Sequence, residues 1–175
     1  MNIRRSHLLR FFGVNLLILV AGTVMAYAQR SDGNKVYYES GQLHYEYGLE
    51  RAVLQGVTKE YFRDGKVRFE WNYSEGVLQG ITKEYYTDGK VKAEWSYADG
   101  ELEGTSIIFY PSGQKKYEMD YRQGAKNGWT REYYENGQVK NEWPFQNGKV
   151  DGVVKGFSET GEPVAEWRYV NGQLK

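Results

Sequence analysis

The chain contains no cysteine, three prolines and, beyond residue 28, a single histidine, His44. Without thiols and with one imidazole, that region lacks the parts of a Cys-His or Ser-His-Asp nucleophilic centre and of a Cys/His zinc site. No disulfide can brace the fold, so packing alone must hold it. Aliphatic core-formers are scarce too: past residue 28 there are six Leu (43, 49, 54, 78, 102, 174) and three Ile (81, 107, 108). Charge of one sign is missing, since 23 Lys+Arg balance 23 Asp+Glu. Nucleic acid needs a concentrated basic surface, so composition points to no nucleic-acid partner. Long apolar runs are absent except for one at the N-terminus.

That run, Phe11 to Met25, follows Arg4, Arg5 and Arg10 and ends near Ala26-Tyr27-Ala28. A positive segment, an apolar stretch and an A-x-A site spell a secretory signal peptide over residues 1–28, cleaved after Ala28, with a short linker at 29–35. The expected location is periplasmic or secreted. Roughly 18 apolar residues can just span a bilayer, so the alternative is an uncleaved inner-membrane anchor, the one route to a membrane that the sequence suggests. Gly13, Asn15 and Gly22 within the run, and alanines at −3 and −1, favour cleavage. No cysteine follows to carry a lipid. Cleavage removes three arginines and leaves a net charge of −3.

What the chain has in abundance is glycine and aromatics, and both fall in register. After Lys35 the sequence repeats every 24 residues without insertion or deletion. Glu46, Glu70, Glu94, Glu118, Glu142 and Glu166 form one column; Gly41, Gly65, Gly89, Gly113, Gly137 and Gly161 form another. A fixed period in this range marks a repeat architecture in which each unit buries its apolar face against its neighbours. Such an array spreads its chemistry along rows, whereas catalysis needs one unlike cluster. The expectation is therefore a binding or scaffolding protein and not an enzyme, with no cofactor or metal implied.

One unit, Ile81 to Gly104, reads ITKEYYTDGKVKAEWSYADGELEG. A β-branched and aromatic half precedes Asp88-Gly89, and the alternating Val91, Ala93, Trp95, Tyr97 follow: strand, turn, strand, loop. No window carries helical periodicity, and glycine would break a helix. The predicted fold is all-β: residues 36–175 as an elongated single-layer antiparallel sheet of six 24-residue β-hairpin repeats, preceded by the signal-peptide helix. About 12 strands at roughly 4.8 Å each give about 58 Å.

The turn chemistry selects a register. A two-residue type I′ turn needs positive φ at both central residues, which Thr160-Gly161 and Ser112-Gly113 resist. A three-residue loop, type I followed by a left-handed glycine, also seats Pro111 favourably. It pairs Tyr86 with Lys90, Glu84 with Lys92, Thr82 with Glu94 and Ile81 with Trp95. One face becomes Ile81, Tyr85, Val91, Ala93, Trp95 and Tyr97; the other Thr82, Glu84, Tyr86, Lys92, Glu94 and Ser96.

In that register the glutamate column faces mostly hydroxyls, with Lys59, Lys83, Arg131 and Lys155 one step away. It reads as a structural column holding hairpins in register, or as an acidic rail for a cationic ligand. Trp71, Trp95, Trp143 and Trp167 read as core. The row Tyr38, Phe62, Tyr86, Tyr110, Tyr134 lies on the polar face beside Glu60, Glu84 and Glu132, and is the candidate binding strip for a sugar chain, a peptide or a cationic group. The alternative is a row that merely covers neighbouring strands.

The pattern E-W-x-Y-x-x-G-x-L-x-G-x-x-x-x-Y-Y-x-D/N-G-x-V, clearest from Glu70 to Val91, resembles the MORN repeat variant. In bacteria that repeat occurs in proteins labelled YwqK-type antitoxins. The resemblance spans residues 36–175, with Tyr73-x-x-Gly76 wider than the Tyr-x-Gly step of the MORN consensus proper. It implies a row of hairpins used for protein contact or, in some MORN proteins, membrane association, and brings no catalytic residues. An export signal would part such a chain from a cytoplasmic toxin, so the fold implication carries over and the antitoxin label does not. The leading expectation is an exported interaction module or scaffold with a protein partner. The alternatives are a carbohydrate or cell-wall binder and a neutraliser of an exported toxin.

Overall fold

The computed structural model describes residues 31–175. The signal helix expected over residues 1–28, and the first two residues of the expected linker, lie outside the described residues. Among the described residues there is no helix. Six hairpins follow one another in one open antiparallel sheet: Lys35–Tyr37 with Leu43–Glu46, Gly56–Tyr61 with Val67–Ser74, Gly80–Tyr85 with Val91–Ala98, Gly104–Phe109 with Lys115–Arg122, Ala125–Tyr133 with Val139–Gln146, and Gly152–Phe157 with Pro163–Val170. Each second strand pairs with the first strand of the next unit, as Phe69 and Glu70 do with Glu84 and Lys83. Residues 31–36 add a small hairpin at the N-terminal edge, with Asp32 opposite Lys35.

The hairpin turns are the three-residue loops that turn chemistry predicts. The Tyr86 amide donates to the Lys90 carbonyl at 2.8 Å and the Gly89 amide to the Tyr86 carbonyl at 2.9 Å. Gly89 sits at φ +90°, and Asp88 accepts from the Lys90 amide at 3.0 Å. Pro111 begins the equivalent loop closed by Tyr110 and Gln114. The connections between units are instead two-residue turns with both central residues left-handed: Glu75-Gly76, Asp99-Gly100, Gln123-Gly124, Asn147-Gly148 and Asn171-Gly172. That is the type I′ geometry rejected for the hairpin turns, and in these five connections a Gly takes the second left-handed position. The first such turn, Arg51-Ala52, has no glycine and holds Ala52 at φ +63°.

The strand pairing corrects the predicted register. Tyr85 faces Val91 as expected, but the next pair is Glu84 with Ala93, so Lys92 bulges out. The register then runs Lys83 with Glu94, Thr82 with Trp95 and Ile81 with Ser96, in place of Thr82 with Glu94 and Ile81 with Trp95. The same shift recurs in all six hairpins. One extra residue on one strand turns every later side chain of that strand to the opposite face relative to its partner. Thr82 and Glu84 therefore share a face with Ala93, Trp95 and Tyr97, whereas Lys83, Tyr85 and Ile81 share one with Glu94.

A single layer has no second sheet to make a deep core. Among the described residues a buried cluster forms from Leu54, Tyr73 and Leu78, with Tyr47, Trp71 and Tyr97 packed against it. Adjacent units are also tied at both margins. The Gly76, Gly100 and Gly124 amides donate to the carbonyls of Leu54, Leu78 and Leu102, and the Lys66 and Lys90 ammonium groups donate to the carbonyls of Thr87 and Pro111.

Candidate functional site

The two faces of the sheet carry different chemistry. On one, the glutamate column lies in a cross-strand ladder of alternating charge: Lys35, Glu46, Lys59, Glu70, Lys83, Glu94, then Ile107, Glu118, Arg131, Glu142, Lys155 and Glu166. The hydroxyl partners expected for this column belong to the other face, because of the bulge; the basic residues placed one step away stand directly opposite. Lys59 meets Glu70 at 3.1 Å and the Arg131 Nε donates to Glu142 at 2.8 Å. Tyr61 and Tyr85 donate their hydroxyls to Glu46 and Glu70 at 3.0 and 2.7 Å. Burial would raise the Glu70 carboxyl, but hydrogen bonds from Tyr85 and Lys59 and the Lys59 and Lys83 charges outweigh it and hold the group below its ordinary value. Burial and the Glu46 carboxylate push the Tyr61 hydroxyl up to about 12. The carboxylates of Glu46, Glu70, Glu94, Glu118 and Glu142 are thus consumed by their neighbours within the sheet.

Next to this ladder is an open apolar stripe. Val53, Val57, Val77 and Ile81 are 45, 42, 42 and 45 % exposed. Their pairings with Glu50, Asn72, Ser74 and Ser96 place them on the ladder face beside the two-residue turns.

The opposite face holds the aromatics. Register lines up Thr58, Trp71, Thr82, Trp95, Ser106, Met119, Thr130, Trp143, Val154 and Trp167 in one row, so each indole is flanked by small side chains. Thr58, Thr82, Ser106 and Thr130 are buried beneath the rings. The Thr58 and Ser106 hydroxyl oxygens accept from the amides of Gly48 and Ser96 at 3.3 and 3.2 Å, anchoring the preceding strand. A second row places Tyr73, Tyr97, Tyr121 and Phe145 opposite Gly56, Gly80, Gly104 and Gly128, so the cross-strand partner of each ring has no side chain. Between these rows lies a groove of about 650 Å³, walled by Tyr45, Tyr47, Phe69, Trp71, Tyr73, Trp95, Tyr97 and Tyr121. Phe69 and Trp71 stack at 5.1 Å between centroids. Burial pushes the Tyr73 hydroxyl up to about 12, aided by Tyr97 and Tyr47.

The predicted strip residues adjoin this groove but are held within the fold. Tyr38, Tyr86, Tyr110 and Tyr134 donate their hydroxyls to the backbone carbonyls of Tyr61, Phe109, Tyr133 and Phe157, one unit on, at 2.7 to 2.9 Å. Phe62 occupies the same column without a hydroxyl, and Arg68 lies over its ring at 5.8 Å. Glu84 lines the groove and binds Lys92 at 2.7 Å; Glu132 binds Lys140 at 3.1 Å and Asn141 at 2.8 Å. Both cations are bulge residues, re-aimed onto the aromatic face by the extra residue. Glu60 is 2 % exposed, meets Arg68 at 3.0 Å and has His44 at 3.6 Å. Burial raises its carboxyl despite Arg68, and burial, with Arg68 and Arg63, lowers His44.

Sequence reasoning read the Trp column as core and did not single out Tyr45, Tyr47, Tyr73 or Tyr121 as groove residues. The signal that could have found them is the single layer itself: with no second sheet, the face called core must stay open on one side. Among the described residues, no grouping of three or more His, Cys, Asp or Glu has metal-binding geometry, and there is no helix long and apolar enough to cross a membrane.

No curated protein matches the chain. The family model of the MORN repeat variant matches four successive segments, residues 54–75, 78–99, 102–123 and 126–147, together half of the chain. Each begins two residues before the first glycine of a hairpin, in a Leu-x-Gly step for the first three and at Lys126-Asn127-Gly128 for the fourth, and ends at the left-handed residue of the next two-residue turn, so its period is the structural unit. With sequence period, hairpin geometry and family model in agreement, the chain belongs to the MORN repeat variant family.

Proposed function

We propose that this protein is an exported, non-enzymatic interaction module or scaffold of the cell envelope, periplasmic or secreted after cleavage behind Ala28, with a protein as its partner. MORN repeats generally serve as protein- and membrane-interaction modules. The observation that carries the reading is the stripe of Val53, Val57, Val77 and Ile81, apolar and nearly half exposed beside the paired charges of Lys59 with Glu70 and Lys83 with Glu94. An exposed apolar patch rimmed by polar groups is the usual signature of a protein contact. Export is supported by the basic, apolar and A-x-A segments of residues 1–28.

The test has two parts. Mass spectrometry of protein recovered from envelope fractions should give a chain starting at Gln29; an intact chain in the cytosol ends the export reading. Val57→Asp combined with Ile81→Asp should leave the melting temperature nearly unchanged, because both side chains are exposed, and should abolish crosslinking to the envelope partner. Retained crosslinking would move the contact elsewhere. A toxin-neutralising role has no observation favouring it over this one.

A further inference from the structure

The ring-lined groove is on the face away from the apolar stripe, and the proposed protein contact makes no use of it. We propose that this groove is a second binding site, taking an uncharged, extended oligosaccharide laid across the strands. Three observations point there, the first being charge. The ionic side chains that line the groove are Arg68 and Glu84, and each is neutralised inside its own hairpin, Arg68 by Glu60 at 3.0 Å and Glu84 by Lys92 at 2.7 Å. A charged segment entering the groove would lose hydration without gaining an unpaired partner. A neutral polyhydroxylated chain gains hydrogen bonds from the same groups at no such cost.

The second observation is the surface. Trp71, Trp95, Phe69, Tyr97 and Tyr121 are half-buried, giving apolar ring faces of the kind that the C–H-rich faces of pyranose rings cover. The tyrosines add hydroxyl edges that can donate and accept.

The third is spacing. Trp71 and Trp95 stand on strands separated only by the strand of Thr82, so their backbones recur at about 9.6 Å, two strand spacings. Two consecutive sugar rings of an extended chain cover a comparable distance, so alternate rings can meet successive indoles. The 24-residue period makes the surface itself a polymer-like row. At Ser106 the row passes to Met119, which is 6 % exposed, so the platform ends there and a short oligosaccharide, not an indefinite chain, fills it.

The test is titration of the purified protein with β-linked glucose and N-acetylglucosamine oligomers of two to six units, following tryptophan fluorescence and heat. Saturable binding that tightens with length and levels off once the groove is filled is expected. Trp71→Ala and Trp95→Ala should each weaken it by about tenfold or more. Trp167→Ala, in the last hairpin and outside the groove, should leave it unchanged. Should an alanine variant lose its β-sheet circular dichroism, Trp95→Tyr and Glu84→Gln keep the fold and should still weaken binding. Polygalacturonate and dextran sulfate should not compete. No saturable response to either series, or equal affinity in the Trp71 and Trp95 variants, overturns the proposal. So does a result in which these variants lose a crosslinked protein while no oligosaccharide binds, because the groove is then a protein dock. The Val57 and Ile81 variants should bind oligosaccharide normally, so failure at one face is distinguishable from failure at the other.

Discussion

A tyrosine hydroxyl that donates to a backbone carbonyl 23 residues further on does a specific job: it satisfies an acceptor in the neighbouring unit and locks two turns together. Tyr38, Tyr86, Tyr110 and Tyr134 all do this. Phe62 is the natural control. Phe62→Tyr should therefore stabilise the protein by about 0.5–1.5 kcal/mol by supplying the missing bond to the Tyr85 carbonyl, and Tyr86→Phe should cost about as much. Urea melts of the two variants check the pair; a neutral or destabilising Phe62→Tyr would mean that the carbonyl already has its partner. Backbone strain gives a second residue-scale test. Ala52 holds φ +63° where the five later turns have glycine. Left-handed backbone costs an L-residue roughly 1–2 kcal/mol, partly offset by the greater freedom glycine has when unfolded. Ala52→Gly should raise stability by about 1 kcal/mol, seen as a higher melting temperature.

At the scale of the hairpin, the ladder of lysines and glutamates acts as a pH-sensitive seam. Glu70 is held below its ordinary value in the folded state, so its contribution is present above the unfolded value and is lost as pH falls through the carboxylate range. Tyr85→Phe removes one of the bonds that hold it down. The melting temperature of the variant should fall less steeply than that of the parent between neutral pH and pH 3. Glu60 works with the opposite sign, since its raised carboxyl takes up a proton more readily folded than unfolded and gains stability as pH falls. That gain is common to both proteins and drops out of their difference. Equal slopes would show that the Tyr85 hydroxyl does not hold Glu70 ionised. The hairpin is also where sequence reading was partly right. Turn length was legible because Asp-Gly, Pro111 and the Thr160 position are local constraints on φ. The bulge at Lys92 was not, because nothing in its own residues forbids regular pairing. It follows from where Lys92 finds Glu84, and Ala93 finds room, in the assembled sheet.

For the whole molecule, contacts run from each unit to its neighbours, so stability should behave as a sum of unit and interface contributions. Removing residues 80–103, which joins Gln79 to Gly104 in the same local sequence as Gln79-Gly80, should leave a folded β protein. Its denaturant m-value should drop by about a sixth, in proportion to the surface lost. A chain that no longer shows β-sheet circular dichroism would mean that the third hairpin, which carries Trp95 and Ala93, is indispensable to the sheet. The same one-dimensional build leaves two open faces, and these separate the proposed protein contact from the proposed glycan groove.

The period, the six hairpins, the three-residue loops and the single antiparallel layer were determined by sequence alone, because each follows from φ preferences, glycine placement and β-branched or aromatic content within one 24-residue window. The tertiary structure decided which side chains share a face. One bulged residue per hairpin moves Thr82 and Glu84 to the tryptophan side and sets Lys83 against Glu94. It also decided that the tryptophan side joins a packed cluster around Tyr73 and Leu78 to an open groove. Whether a ring is covered depends on what lies above the sheet, and no local sequence window carries that information.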